Sequence, residues 1–166
     1  MFRKVSDFLE SWKHESESTL KLFKVLTDES LRQKVTEAGR SLGFLAWHIT
    51  VTPREMLEKA GLVIEGPLQH APAPATAQEI IRAYDETSGS VLETVGRKWK
   101  DEDMTQEVEM YGDKWNKGTV LQVLIKHEAH HRGQMTVLMR QAGLVIPGIY
   151  GPAREEWAAW GMPTME

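Results

Sequence analysis

The chain has 166 residues, 20 basic against 24 acidic side chains, a net charge of −4 and 41% hydrophobic residues, enough for one domain over 1–166 whose core needs no disulfide or structural metal. An acidic balance without a basic run removes the electrostatic footprint of nucleic-acid binding, and no apolar stretch reaches the roughly 20 residues that span a bilayer; without the apolar region of a signal peptide near its start, the protein is expected in the cytoplasm with no membrane partner. The absence of cysteine excludes disulfides, thiolate nucleophiles and cysteine zinc sites together, which leaves any metal to His, Asp or Glu.

In chain order, Phe8, Trp12, Leu20, Phe23 and Leu26 recur at mostly helical intervals and predict a first helix over 6–26. A polar stretch over 27–39 has room for a short helix. Leu42, Leu45, Ile49 and Met56 predict a second helix over 41–60, with a kink or restart near Thr52 because Pro53 lacks a backbone donor. Residues 61–75 hold three prolines and two glycines and read as a long loop. Thr76 and Glu79 form the pattern of a capping box that opens a third helix with Ile80, Tyr84, Val91, Val95 and Trp99 on one stripe. Residues 100–118 are polar and turn-rich, with an extended pair at most around Val108 to Tyr111. Thr119 and Gln122 repeat the capping-box pattern and predict a fourth helix over 119–142, followed by a short helix around 154–160. Trp157 and Trp160 there are expected to pack on the bundle or across a dimer seam. Four amphipathic helices with little strand signal predict an all-α four-helix bundle. The string Ala-Gly-Leu-Val-Ile occurs at both 60–64 and 142–146, placing Gly61 and Gly143 where a Schellman helix end wants glycine.

The histidines carry the functional signal. On the fourth helix, steps of three and four lead through Val120, Leu124, His127, His131, Met135 and Leu138, so two imidazoles sit mid-stripe. Burying either ring nitrogen without a partner costs about 1–3 kcal/mol. Rings one turn apart turn their nitrogens toward one point, the spacing that chelates a divalent ion, although a hydrogen-bonded pair satisfies them too. His48, between Leu45 and Ile49 and beside Trp47, supplies a third ring. It lies 13 residues before Gly61, as His131 lies 12 before Gly143, so helices stopping at one end would set the rings at similar depth. Three imidazoles leave a coordination position open, the catalytic pattern for zinc. His14 reads as solvated, His70 as part of the proline loop, and His130, about 100° from His131 around the helix, as a rim residue. His127-Glu128-Ala129-His130-His131 also fits the metallopeptidase pattern HExxH, with Glu128 as base. The metzincin extension fails at Gln134 and Val137, and a helical chain offers no edge strand for a peptide.

With His48 in Gly43-Phe-Leu-Ala-Trp-His48 and the string His127-Glu-Ala-His-His131-Arg-Gly-Gln134, the sequence resembles the DinB/YfiT-like family of metal-dependent bundle proteins over nearly its whole length. That resemblance implies an up-down-down-up bundle, a metal ion on His48, His127 and His131, and a homodimer. Arg132 and Gln134 belong to the signature and are expected to brace neighbouring helices, and Gly133 to permit close packing. Some members are thiol S-transferases or isomerases. The resemblance therefore implies one divalent transition-metal ion, zinc or nickel, a low-molecular-weight thiol cosubstrate and a small-molecule substrate.

Three readings compete. The first is a metal-dependent enzyme of the thiol S-transferase type, with Arg54 or Arg132 as basic groups near the mouth of the site. The second is a non-catalytic metal- or ligand-binding stress-response bundle, its fourth position filled by Trp47, Met135 or a carboxylate. The third is a metal-free bundle whose rings bond one another. The loops 61–75 and 100–118 are expected to line the site.

Overall fold

A computed structural model describes residues 1–163; the last three residues of the expected domain lie outside these. Four α-helices, α1 (Val5–Phe23), α2 (Leu42–Lys59), α3 (Ala77–Lys98) and α4 (Lys117–Gln141), account for most of it, with a hairpin of β1 (Glu107–Met110) and β2 (Asp113–Asn116) and short 3-10 turns at Ser30–Arg32, Asp101–Thr105 and Arg154–Trp160. No described helix is long and apolar enough to cross a membrane.

The path of the chain follows from two apolar clusters. One gathers Phe8 and Trp12 from the start of α1, Met56 and Leu57 from the end of α2, Val91 and Val95 from the end of α3, and Val120, Leu121 and Leu124 from the start of α4. The other gathers the opposite ends: Leu22 and Phe23, Leu42 and Leu45, Ile80 and Tyr84, Leu138 and Met139. Hence α1 and α4 run one way and α2 and α3 the other, the up-down-down-up arrangement. α1 and α2 each pack against α3 and α4. The premise that α2 and α4 stop at one end is therefore corrected: they are antiparallel, and His48 meets His127 and His131 because all three lie between the clusters.

Local chemistry sets the ends. The Ser41 hydroxyl accepts the Phe44 amide at 3.1 Å to open α2. Thr76 accepts the Glu79 amide at 3.3 Å, but the Glu79 carboxylate takes the Thr76 hydroxyl at 2.6 Å instead of the backbone N–H that a full capping box uses. Asp28 adds a cap from outside, accepting the Ala77 amide at 2.8 Å. α2 runs without a break through Pro53, so no restart occurs. Both repeated strings form Schellman ends: Gly61 and Gly143 have φ of 88° and 77°, with Leu62 N–H donating to the Leu57 carbonyl and Leu144 N–H to that of Met139.

The second capping box does not form. β2 leads directly into α4, which begins at Lys117, its first amide donating to the Gln106 carbonyl, so Thr119 lies inside the first turn and Gln122 accepts the terminal ammonium of Met1 at 2.6 Å. The hairpin turn puts Tyr111 at φ 55° ahead of Gly112 at 87°, and a non-glycine residue in this left-handed region costs about 1 kcal/mol. The C-terminal 3-10 turn buries none of its residues; Trp157 is half-buried and Trp160 exposed, so the expected packing on the bundle is not met by Trp160.

Candidate metal centre

Between the two apolar clusters lies a polar layer. On its α2–α4 side the Nε2 of His127 stands 3.0 Å from that of His48 and 3.1 Å from that of His131, and the three residues' ligand atoms all fall within 4.8 Å of one another. Imidazoles about 2.0–2.1 Å from a tetrahedral ion would place their nitrogens roughly 3.3 Å apart. His127 Nε2 offers one proton or one lone pair, so it cannot make a good hydrogen bond to both neighbours at once. A cation at the centre satisfies all three nitrogens, and the donor set therefore fits a divalent ion.

Each ring is held in the form a metal binds. Burial and the neighbouring imidazoles push His127 down to about 4. Burial, with the nearby His131 and Arg40, also lowers His48, and burial lowers His131 against the opposing bond from Gln134. Each shift favours the neutral form that ligation requires. Gln134 Oε1 accepts from His131 Nδ1 at 2.8 Å, which turns the Nε2 lone pair toward the centre. The same amide donates to His130 Nε2 at 3.0 Å, so His130 stays at the rim. Gln134 thus orients two rings of its own helix instead of bracing a neighbouring one. Gly133 packs against nothing, with open space where a side chain would begin, and the close-packing role expected of it is not met.

On the α1–α3 side the layer is a buried network. Glu128, 2% exposed, accepts the Thr19 hydroxyl at 2.5 Å and the Tyr84 phenol. Burial pushes its carboxyl up to about 7 against the opposing pull of these bonds and Arg132. Arg132, 3% exposed, pairs with the Glu15 carboxylate, donates to the Glu15 carbonyl at 2.8 Å and the Thr19 hydroxyl at 2.9 Å, and donates to the Tyr150 hydroxyl. It braces α4 on α1 and the C-terminal segment, as expected, and is corrected as a basic group at the mouth. Arg54 is likewise engaged, with Glu58 at 2.7 Å and the Gly66 carbonyl at 2.5 Å. Glu128, committed to Thr19 and Tyr84, does not take the position of a peptidase base.

The centre opens on a cavity of about 670 Å³ to which both His48 and His127 contribute. The two loops expected to line it do so, through Gln69 to Ala71 and through Tyr111, and the Trp47 indole N–H ties the first of them down by donating to the Ala71 carbonyl at 2.8 Å. His70 is exposed at the cavity wall, and His14 is solvated as expected. Four residues here, Phe44, Arg40, Glu55 and Tyr111, were not expected at the site. Phe44 stacks on His48 with centroids 5.9 Å apart and carries the Arg40 guanidinium 5.0 Å over its ring, while Glu55 accepts the Tyr111 phenol at 2.6 Å. For Phe44 the helical interval of four from His48 was the available signal.

The DinB family model matches residues 1–163 of the chain. The Bacillus subtilis (strain 168) protein YrdA is 41% identical over 162 residues, which cover 98% of this chain and 97% of YrdA. Among solved structures, a DinB-like protein from Bacillus cereus ATCC 10987 superposes with a TM-score of 0.87 at 41% identity, over 90% of this chain and 100% of that one. The DinB-like YjoA from Bacillus subtilis gives a TM-score of 0.68 at 20% identity over 86% and 96% of the two chains, a likeness of fold.

Proposed function

The chain belongs to the DinB family, and from that membership we propose that it holds one divalent transition-metal ion, zinc or nickel, on His48, His127 and His131 and acts as a thiol S-transferase on a small molecule. The observation that carries the reading is the convergence of three imidazoles, two of them at the wall of an open cavity. When bound, the ion supplies a Lewis acid that lowers the pKa of a low-molecular-weight thiol cosubstrate in the remaining coordination position.

The chain's own residues do the rest. Gln134 holds the His131 tautomer, Phe44 packs on the His48 ring, and Trp47 fixes the loop that covers the cavity. Val51, Met56 and Val123 give the cavity apolar walls. The Arg40 guanidinium stands 5.0 Å over the Phe44 ring and its charge is felt at His48. The working unit in this reading is a homodimer.

A last position filled by Trp47, Met135 or a carboxylate would favour a non-catalytic site. Trp47 has its indole N–H committed to Ala71, Met135 is buried in the second apolar cluster, and Glu128 faces Thr19 and Tyr84. None of the three closes it.

The test is transfer from zinc- or nickel-loaded protein given a low-molecular-weight thiol and monobromobimane. The thiolate sulfur forms a bond to carbon, bromide leaves with the electrons of the C–Br bond, and the thiol proton goes to solvent. Metal-dependent turnover above the uncatalysed rate, absent from His127→Ala, is expected; a rate equal in the two proteins for every thiol tried would contradict the transferase reading.

A further inference from the structure

Glu55 stands on α2 seven residues after His48, two helical turns and about 10 Å along the axis, and lines the same cavity. Its side chain is 10% exposed. Oε2 accepts the Tyr111 phenol at 2.6 Å. Oε1 is buried with no hydrogen-bond partner among the described residues. The Lys59 ammonium approaches it only to 3.6 Å and is itself 44% exposed, lying 5.6 Å from the centre of the Tyr111 ring.

Folding alone does not account for this arrangement. A two-residue hairpin turn with both residues at positive φ prefers asparagine or glycine in its first place, yet here the left-handed position holds Tyr111, whose hydroxyl fixes the Glu55 carboxylate. Backbone strain of this kind gathers at ligand clamps. A buried carboxylate oxygen held by a long ion pair and no hydrogen bond gains from a donor at hydrogen-bond distance. Phe44, Trp47 and Tyr111 line the cavity.

We propose that the Glu55 carboxylate, fixed by Tyr111 and with a buried Oε1 that has no hydrogen bond and only the 3.6 Å ion pair with Lys59, receives a primary ammonium group of the substrate in place of Lys59, in the cavity that opens from His48 and His127. The substrate is then a small molecule with an amine at one end and a metal-binding group, such as a thiol, about two helical turns away. The metal-binding end rests on the function proposed above; the amine end stands without it.

The test measures binding of hexylamine, hexanol, hexanethiol and aminohexanethiol by calorimetry at pH 7, with wild-type and Glu55→Gln proteins in zinc-loaded and metal-free form. Wild-type protein should bind hexylamine at least about tenfold more tightly than hexanol, a difference one charge-assisted bond supplies, with or without zinc. Glu55→Gln should lose that preference while keeping its zinc content and its affinity for hexanethiol. Lys59→Met, which removes the competing ammonium, should tighten hexylamine, and aminohexanethiol should bind zinc-loaded protein more tightly than either single-ended probe. Equal affinity for hexylamine and hexanol in wild-type protein, or a preference that survives Glu55→Gln, would overturn the proposal. Failure of hexanethiol alone, with the amine preference intact, would count against the metal-thiol reading and leave the Glu55 site standing.

Discussion

Gln134 and Arg132 sit two residues apart in one signature and do different work. Gln134 fixes which nitrogen of His131 faces the centre, and loss of such an orienting partner typically weakens metal binding 10–100-fold. Gln134→Leu should therefore fold normally and lose zinc affinity by about that factor in competition with a chelator. Arg132 instead neutralises a buried layer. Arg132→Met leaves Glu15 and Glu128 without their cation, and breaking a buried pair on one side costs about 3 kcal/mol or more; denaturant unfolding should register this while the three histidines remain in place. Tyr84 gives the layer a pH signature, since burial and the adjacent Glu128 hold its phenol well above its ordinary value. Its stabilising contribution is complete below about pH 10. Above that the unfolded chain releases a proton that the native chain keeps, so stability falls as pH rises. Tyr84→Phe should flatten this alkaline loss in midpoints measured from about pH 9 to 11. At this scale the three imidazoles were legible because polar rings on an apolar stripe demand a partner. Glu55, Tyr111 and Arg40 were not, since an acid two turns along a helix, a turn tyrosine and an exposed arginine look ordinary until the loops fold over them.

Element boundaries were readable where one side chain caps one helix. Thr76 opens α3 as its position suggested, Ser41 caps α2 where that helix was expected to begin, and the repeated glycines close α2 and α4. Nothing lies within 4 Å of a side chain built at Gly61 or Gly143, so Gly61→Ala and Gly143→Ala should each cost only the left-handed backbone strain, about 1 kcal/mol, in chemical denaturation. Gly118→Ala should cost more, because its methyl would collide with the Phe2 carbonyl at the N-terminal strap. The start of α4 was misread because its capping comes from elsewhere in the fold. With β2 feeding straight into the helix, Gln106 supplies the acceptor that a local threonine would otherwise have to match. At Pro53 the expected restart does not occur, and its ring is buried in the bundle.

Over the whole molecule, periodicity made four helices visible, while their directions came only from which ends share a cluster. The two apolar cores lie at opposite ends of the bundle and neither includes the triad, so metal binding adds to a fold that stands without it. Chelation should lower the melting temperature by the lost binding free energy and leave the far-ultraviolet helical signal at 25 °C unchanged; collapse of that signal would make the ion structural. The most direct test of the central claim is elemental analysis of protein purified without an affinity tag or chelator, beside His48→Ala, His127→Ala and His131→Ala. The account predicts about one equivalent of a transition metal per chain in the wild type and its loss from each variant. Unchanged metal content in the variants, or none in the wild type after reconstitution with zinc or nickel, would contradict it.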